Sequence, residues 1–164
     1  MKKTLKYSLI GIVSFFLILF GFYILLRWAK QGEFLKYENG VTIEVYNSSE
    51  QAITDLNFYI AFDRKQVHQD VGTIDVIEPG ETTNLYTHQI KDTGNDRSLD
   101  LHYPINKTKA DIESLAYLAS YKPNKVVVVL EITGTDNTGR LFFRVRGYED
   151  GFGKYKLDLT STRE

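Results

Sequence analysis

Tyr7 to Leu26 is a run of twenty residues without a charge, and it decides what the rest of the chain is attached to. A helix rises about 1.5 Å per residue, so about 20 residues cross the roughly 30 Å hydrocarbon core of a bilayer. Lys2, Lys3 and Lys6 precede the run, Arg27 and Lys30 follow it, and Trp28 stands where an interfacial aromatic belongs. A cleaved signal peptide has a shorter apolar core, about 7–15 residues, and then small residues at the cleavage site. Arg27-Trp28-Ala29-Lys30-Gln31 offers no such site, and a chain without cysteine has no lipoprotein processing. A buried core helix of a soluble protein is the competing reading, but twenty uncharged residues at a terminus need a very large core to hide in. The stretch therefore reads as an uncleaved signal-anchor. Residues 1–6 form a cytoplasmic tail, 7–27 the transmembrane segment, 28–39 a juxtamembrane linker and 40–164 an extracytoplasmic β domain. Three lysines before the span against two basic residues just after it put the N-terminus in the cytoplasm and the bulk of the chain outside.

Charge divides in the same place. Residues 1–27 hold four basic and no acidic groups, whereas the remainder holds 16 basic and 21 acidic. A mildly acidic domain is not built for nucleic acid or for a polybasic lipid-binding surface. Its length suits one domain. The absence of cysteine removes disulfides, which small eukaryotic secreted domains commonly use, and fits a bacterial cell-envelope protein. Asn47-Ser48-Ser49 and Asn106-Lys107-Thr108 match the glycosylation sequon, which carries no meaning in that setting.

Beyond the linker the hydrophobic period switches to two. Val41, Ile43 and Val45 alternate in VTIEVY, and Leu56, Phe58, Ile60 and Phe62 alternate in ITDLNFYIAF, which predicts half-buried strands. Further strands are expected at VGTIDVI, at TNLYTHQI after the Pro79-Gly80 turn, and at SLDLHYPI, which must stop near Pro104. Ile112, Leu115, Leu118 and Ala119 recur at three- and four-residue spacing behind Thr108, a capping residue, so a helix is predicted over Lys109–Ser120. KVVVVLEIT and RLFFRVRGY flank GTDNTG as a hairpin, and Val126–Leu130, apolar on both faces, reads as a central strand. KYKLDLT ends the series with Leu157 and Leu159 on one face. The fold class is mainly β: an N-terminal transmembrane helix, then an antiparallel Ig-like β-sandwich of seven or eight strands with one inserted helix. One curved sheet with that helix packed against it is the alternative.

The segment Val41–Ile90 resembles the Ig-like modules of the FxLYD type that bacteria place after a single membrane anchor. The likeness lies in VTIEVYNSSEQAITDLNFYIAF and IEPGETTNLY: a strand ending in an asparagine turn, a second strand, and a Pro-Gly-Glu-Thr turn leading to a strand that packs back. The resemblance implies an extracytoplasmic, non-catalytic β-sandwich and transfers no site. The chain departs from the pattern at the predicted helix.

Chemistry leaves few traces. Neither G-x-S-x-G nor S-x-x-K occurs, and there is no cysteine. His68, His88 and His102 form no H-E-x-x-H and no pair at metal-ligand spacing, though His88 and His102 would meet on adjacent strands. Asp92, Asn95, Asp96 and Asp100, Asp136 with Asn137, and Glu149 with Asp150 form acidic loops; none fits the EF-hand pattern, and turn chemistry accounts for them. No cofactor, metal or catalytic residue is expected. Two features suit a partner surface instead. Arg140, Arg144 and Arg146 share one face of a predicted strand as a basic stripe. GYEDGFG is read as a mobile loop presenting Tyr148 and Phe152 beside Glu149 and Asp150.

These features favour a single-pass, membrane-anchored, extracytoplasmic protein-binding module, non-catalytic, in an envelope or secretion assembly or as an immunity-type protein. An envelope enzyme or a ligand- or metal-binding sensor is one alternative. A structural subunit of a membrane complex is another, although the small-residue pattern within the helix is weak, Gly11 and Gly21 being too far apart for G-x-x-x-G.

Overall fold

A computed structural model describes residues 2–62, 66–88, 90–91, 97–105, 109–119 and 122–160. The chain forms two compact units, Met1–Lys36 and Tyr37–Glu164. In the first, α1 spans Lys2–Gln31, so the polar segment read as a linker begins as helix. Gly32 adopts φ +57°, the left-handed conformation that stops a helix cheaply when the residue lacks Cβ, and a short 3-10 turn follows over Gly32–Lys36. The helical stretch from Ile10 is long and apolar enough to cross a membrane, with a mean hydropathy of 2.3.

The second unit is a two-layer β-sandwich. Its strands are β1 (Gly40–Asn47), β2 (Ile53–Phe62), β3 (Gln66–Ile77), β4 (Thr82–Thr87), β5 (Arg97–Ile105), β6 (Lys109–Leu118), β7 (Lys125–Thr135), β8 (Leu141–Glu149) and β9 (Gly153–Leu159). One sheet has the order β4-β1-β7-β8-β9, the other β3-β2-β5-β6. Among the described residues all strand pairs are antiparallel but one: β1 lies parallel to β7, Ile43 opposite Val128. The chain supplies the long return that a parallel pair needs by building the whole second sheet between these two strands.

Alternating residues fill the interlayer space. Val41, Ile43 and Val45 of β1, Val126, Val128 and Leu130 of β7, and Phe143 and Val145 of β8 meet Leu56, Phe58 and Ile60 of β2 and Leu99 and Leu101 of β5. Val127 and Val129 are buried as well, as expected of a central strand. Asp55, at φ 58°, is the one described non-glycine residue with positive φ. It switches the phase of β2, so Ile53 and Leu56, three residues apart, both point into the core.

The inserted helix is corrected: Lys109–Leu118 is an edge strand, paired antiparallel with β5 from Arg97↔Leu118 to Ile105↔Lys109. Its register shifts opposite Leu99/Asp100. That bulge resets the alternation, so Glu113, Leu115, Ala116 and Leu118 are all buried. Successive buried positions then lie two, one and two residues apart, and Leu115 and Leu118, three apart, suit a helical face when the sequence is read alone.

Candidate functional site

One face of the five-stranded sheet turns away from the core, and the strand registers stack its side chains in rows. The first row reads Thr82, Tyr46, Glu131, Arg144, Asp158; the second Asn84, Glu44, Val129, Arg146, Lys156; the third Tyr86, Thr42, Val127, Tyr148, Lys154. Val129 is short where Glu44 and Arg146 beside it are long. The first two rows therefore enclose an open depression of about 530 Å³. Tyr37 steadies one wall by donating its hydroxyl to Glu44 Oε2 at 2.9 Å.

Charge is distributed unevenly around this depression. In the first row Arg144 lies between two carboxylates, Nη1 3.9 Å from Glu131 Oε2 and Nε 3.6 Å from Asp158 Oδ2. The Thr160 hydroxyl and amide, and then Arg144, hold the Asp158 carboxyl below the usual aspartate range. These groups are exposed, so the pairs orient side chains more than they stabilise the fold. In the second row Arg146 stands directly opposite Lys156. Like charges in that relation repel, and Lys154 lies two residues further along the same face. The first row sets one cation between two carboxylates, whereas the second sets the opposed Arg146 and Lys156, with Glu44, around the floor at Val129.

The sequence-derived candidates divide among several places. Arg144 and Arg146 line the depression. Arg140 does not continue their stripe: it precedes β8 and reaches the other sheet, its Nε 3.1 Å from Asp111 Oδ2 and Nη2 3.5 Å from Glu113 Oε1. GYEDGFG is not a loop throughout. β8 continues to Glu149 and β9 starts at Gly153, leaving a three-residue turn. Tyr148 and Glu149 are therefore strand residues, 1% and 0% exposed, and the expectation of Tyr148 at a loop tip is corrected. Burial pushes the Glu149 carboxyl above its ordinary range, although Oε2 accepts the Phe152 amide at 2.5 Å. Asp150 Oδ2 accepts from the backbone N and Nδ2 of Asn124. Phe152 is exposed as expected.

Glu44, Tyr46, Glu131, Lys156 and Asp158 complete the depression and escaped the sequence reading. The period-two alternation marks each as outward-facing; the strand order that gathers them, with β1 inserted between β4 and β7, leaves no local signal.

His88 and His102 do not sit on adjacent strands: His88 lies just past β4 of one sheet and His102 on β5 of the other. The His88 ring bonds the Tyr86 hydroxyl at 2.9 Å, and the His102 ring packs edge-on against Tyr59. Burial lowers the His102 pKa, partly offset by Asp100. The His68 side chain and Asp92, Asn95 and Asp96 lie outside the described residues. Asp136 spends its carboxylate on the amides of Thr138 and Arg140 and on the Thr138 hydroxyl, an Asx-type turn. Among the described residues no three His, Cys, Asp or Glu side chains converge as a metal site.

No protein-family model, curated protein or solved structure matches the chain.

Proposed function

We propose that the protein is a non-catalytic binding module, held at the bacterial cell membrane by α1 with the sandwich on the outer side, and that the charged face of the five-stranded sheet receives a partner protein. The observation that carries this reading is the placement of Arg146 directly opposite Lys156 at the rim of an open depression. Two cations set directly opposite each other on adjacent strands repel. A carboxylate of a docking protein placed between them relieves the repulsion and gains two charge-assisted contacts. Tyr46, 39% exposed, and the apolar floor at Val129 supply the contact area that charges alone do not. The lysines before the apolar run of α1 and the FxLYD-like pattern of strands and turns support the extracytoplasmic orientation.

Crosslinking of the tagged full-length protein in intact cells, followed by mass spectrometry, tests the proposal. One dominant partner, kept when α1 is replaced by an unrelated anchor and lost when Arg146 and Lys156 are both reversed to glutamate, is the expected result. A partner indifferent to both charges would remove this face from the function. Recovery of a small molecule or metal in place of a protein would overturn the binding-module reading.

A further inference from the structure

The four sheet edges are not equally defended. β3 carries two register shifts against β2, and β6 carries one against β5 together with inward carboxylates at Asp111 and Glu113, devices that discourage a further strand. β4 is six residues long and has no charge to fix a register. β9 differs. It pairs with β8 from Phe143↔Leu159 to Glu149↔Gly153 without a shift, has no proline, and among the described residues has no strand on its other side. Its inward residues Tyr155, Leu157 and Leu159 point toward the core yet stay half-buried, because the sandwich is open between β9 and β6. A cleft of about 280 Å³ lies there, with Phe152 and Tyr117 more than half exposed at its rim.

We propose that β9 pairs antiparallel with β9 of a second copy of this chain, about a two-fold axis at Leu157, joining two five-stranded sheets into one of ten strands. The sequence Tyr155-Lys156-Leu157-Asp158-Leu159 is complementary to itself in this register alone. Leu157 faces Leu157 of the second copy, Tyr155 faces its Leu159, and Lys156 faces its Asp158, while the symmetry repeats each contact. Moving the axis to Lys156 opposes that lysine to itself, moving it to Tyr155 opposes Lys154 to Lys156, and moving it to Asp158 opposes two aspartates. The apolar pairs fall on the core side and close the cleft; the charge pairs fall on the outer face, bringing the two depressions onto one continuous surface. This pairing goes beyond the partner-binding role and stands whether or not the outer face binds another protein.

The chain has no cysteine, so single cysteines report the register. Opposed antiparallel residues have Cα atoms about 4.5–5.5 Å apart, within disulfide reach, whereas Tyr155 and its own symmetry mate would lie about 13 Å apart. In full-length protein reconstituted in liposomes and oxidised, L157C is expected to form a covalent dimer, and Y155C and L159C are not. K156D and D158K are each expected to weaken the dimer, read by energy transfer between labelled copies, about tenfold, and the double variant K156D/D158K to recover it to within about threefold. Recovery in the double variant also shows that neither change prevents folding. Absence of the L157C dimer, equal crosslinking at all three positions, or a double variant as weak as the singles overturns the proposal. Capture of a different protein by L157C in cells, in place of a second copy, overturns it equally.

Discussion

The side-chain amide of Asn47 donates to the carbonyl of Ile77 across 3.0 Å, tying the turn after β1 to the end of β3. The same Nδ2 reaches the Gln51 carbonyl, and Oδ1 accepts the amide and hydroxyl of Ser49. The Asn47 backbone meets Glu81 and Gly80 in the turn before β4. One wholly buried residue thus joins the two turns that the sequence marks separately, NSSE and EPGE. It also makes the Asn47 sequon unusable in the folded protein, since both amide hydrogens are committed.

Replacing Asn47 with alanine strands these buried donors and acceptors, and an expected loss of about 2–4 kcal/mol follows. Asn47→Asp should cost at least as much at neutral pH, because it sets a carboxylate against the carbonyls of Ile77 and Gln51. Thermal unfolding of the detergent-solubilised chain, followed by near-ultraviolet circular dichroism, measures both. A loss below about 0.5 kcal/mol would show that the turns hold without the link.

Gly147 is a second position where one atom decides the packing. A Cβ there would sit 2.2 Å from Tyr155 Cζ and 2.6 Å from the Val127 carbonyl oxygen. The tyrosine ring can rotate away; the backbone oxygen of a central strand cannot. Gly147→Ala is expected to destabilise by about 2–4 kcal/mol, read in the same unfolding experiment. Adding Tyr155→Ala should recover only part of that loss. Full recovery would mean that the ring, not the backbone, sets the constraint.

Most of the sandwich was legible because its central strands obey simple alternation: Val41, Ile43 and Val45 face the core, and the apolar run of β7 lies mid-sheet. β6 was not legible. Lys109–Leu118 is rich in good helix formers, and its bulge sets buried residues at helix-like intervals; nine cross-strand residue pairs with β5 override that local preference. The site was legible by halves. Arg144 and Arg146 were found because strand parity is local, and Arg140 was misgrouped with them because parity says nothing once the strand has ended. Tyr148 was misplaced because its glycine-rich surroundings suggest a loop, where Gly147 instead admits a tightly packed tyrosine ring.

Glu149 gives the pH dependence. Burial raises its carboxyl above the ordinary 4.5, so the folded state prefers the protonated form and pays for the charged one. The cost is full above the folded-state value, shrinks as pH falls through it, and vanishes below about 4.5. Glu149→Gln keeps an acceptor for the Phe152 amide and removes the charge. The variant is expected to be more stable than the parent near neutral pH, the advantage closing as pH falls toward the ordinary 4.5. An advantage independent of pH would assign it to packing, and a variant less stable at pH 7 would refute the sign.

The three arginines that the sequence groups together should separate in function. Arg146 faces the depression opposite Lys156, whereas Arg140 is spent on Asp111 and Glu113 of the other sheet. Reversing Arg146 or Lys156 to glutamate removes one of the two opposed cations and creates a matched cross-strand pair with the other. The fold therefore tolerates the change, while a partner's carboxylate meets a new like charge. Affinity for the partner found by crosslinking should fall about 10–100-fold with either substitution. Raising the salt concentration should weaken the parent complex more than either variant complex, since less attraction remains to be screened. Arg140→Gln should behave in the opposite way, lowering the unfolding temperature while leaving affinity within about twofold once the protein is folded. Equal affinity losses for Arg140 and Arg146 variants would place the partner across both sheets, and no loss for Arg146 or Lys156 would move it off this face altogether.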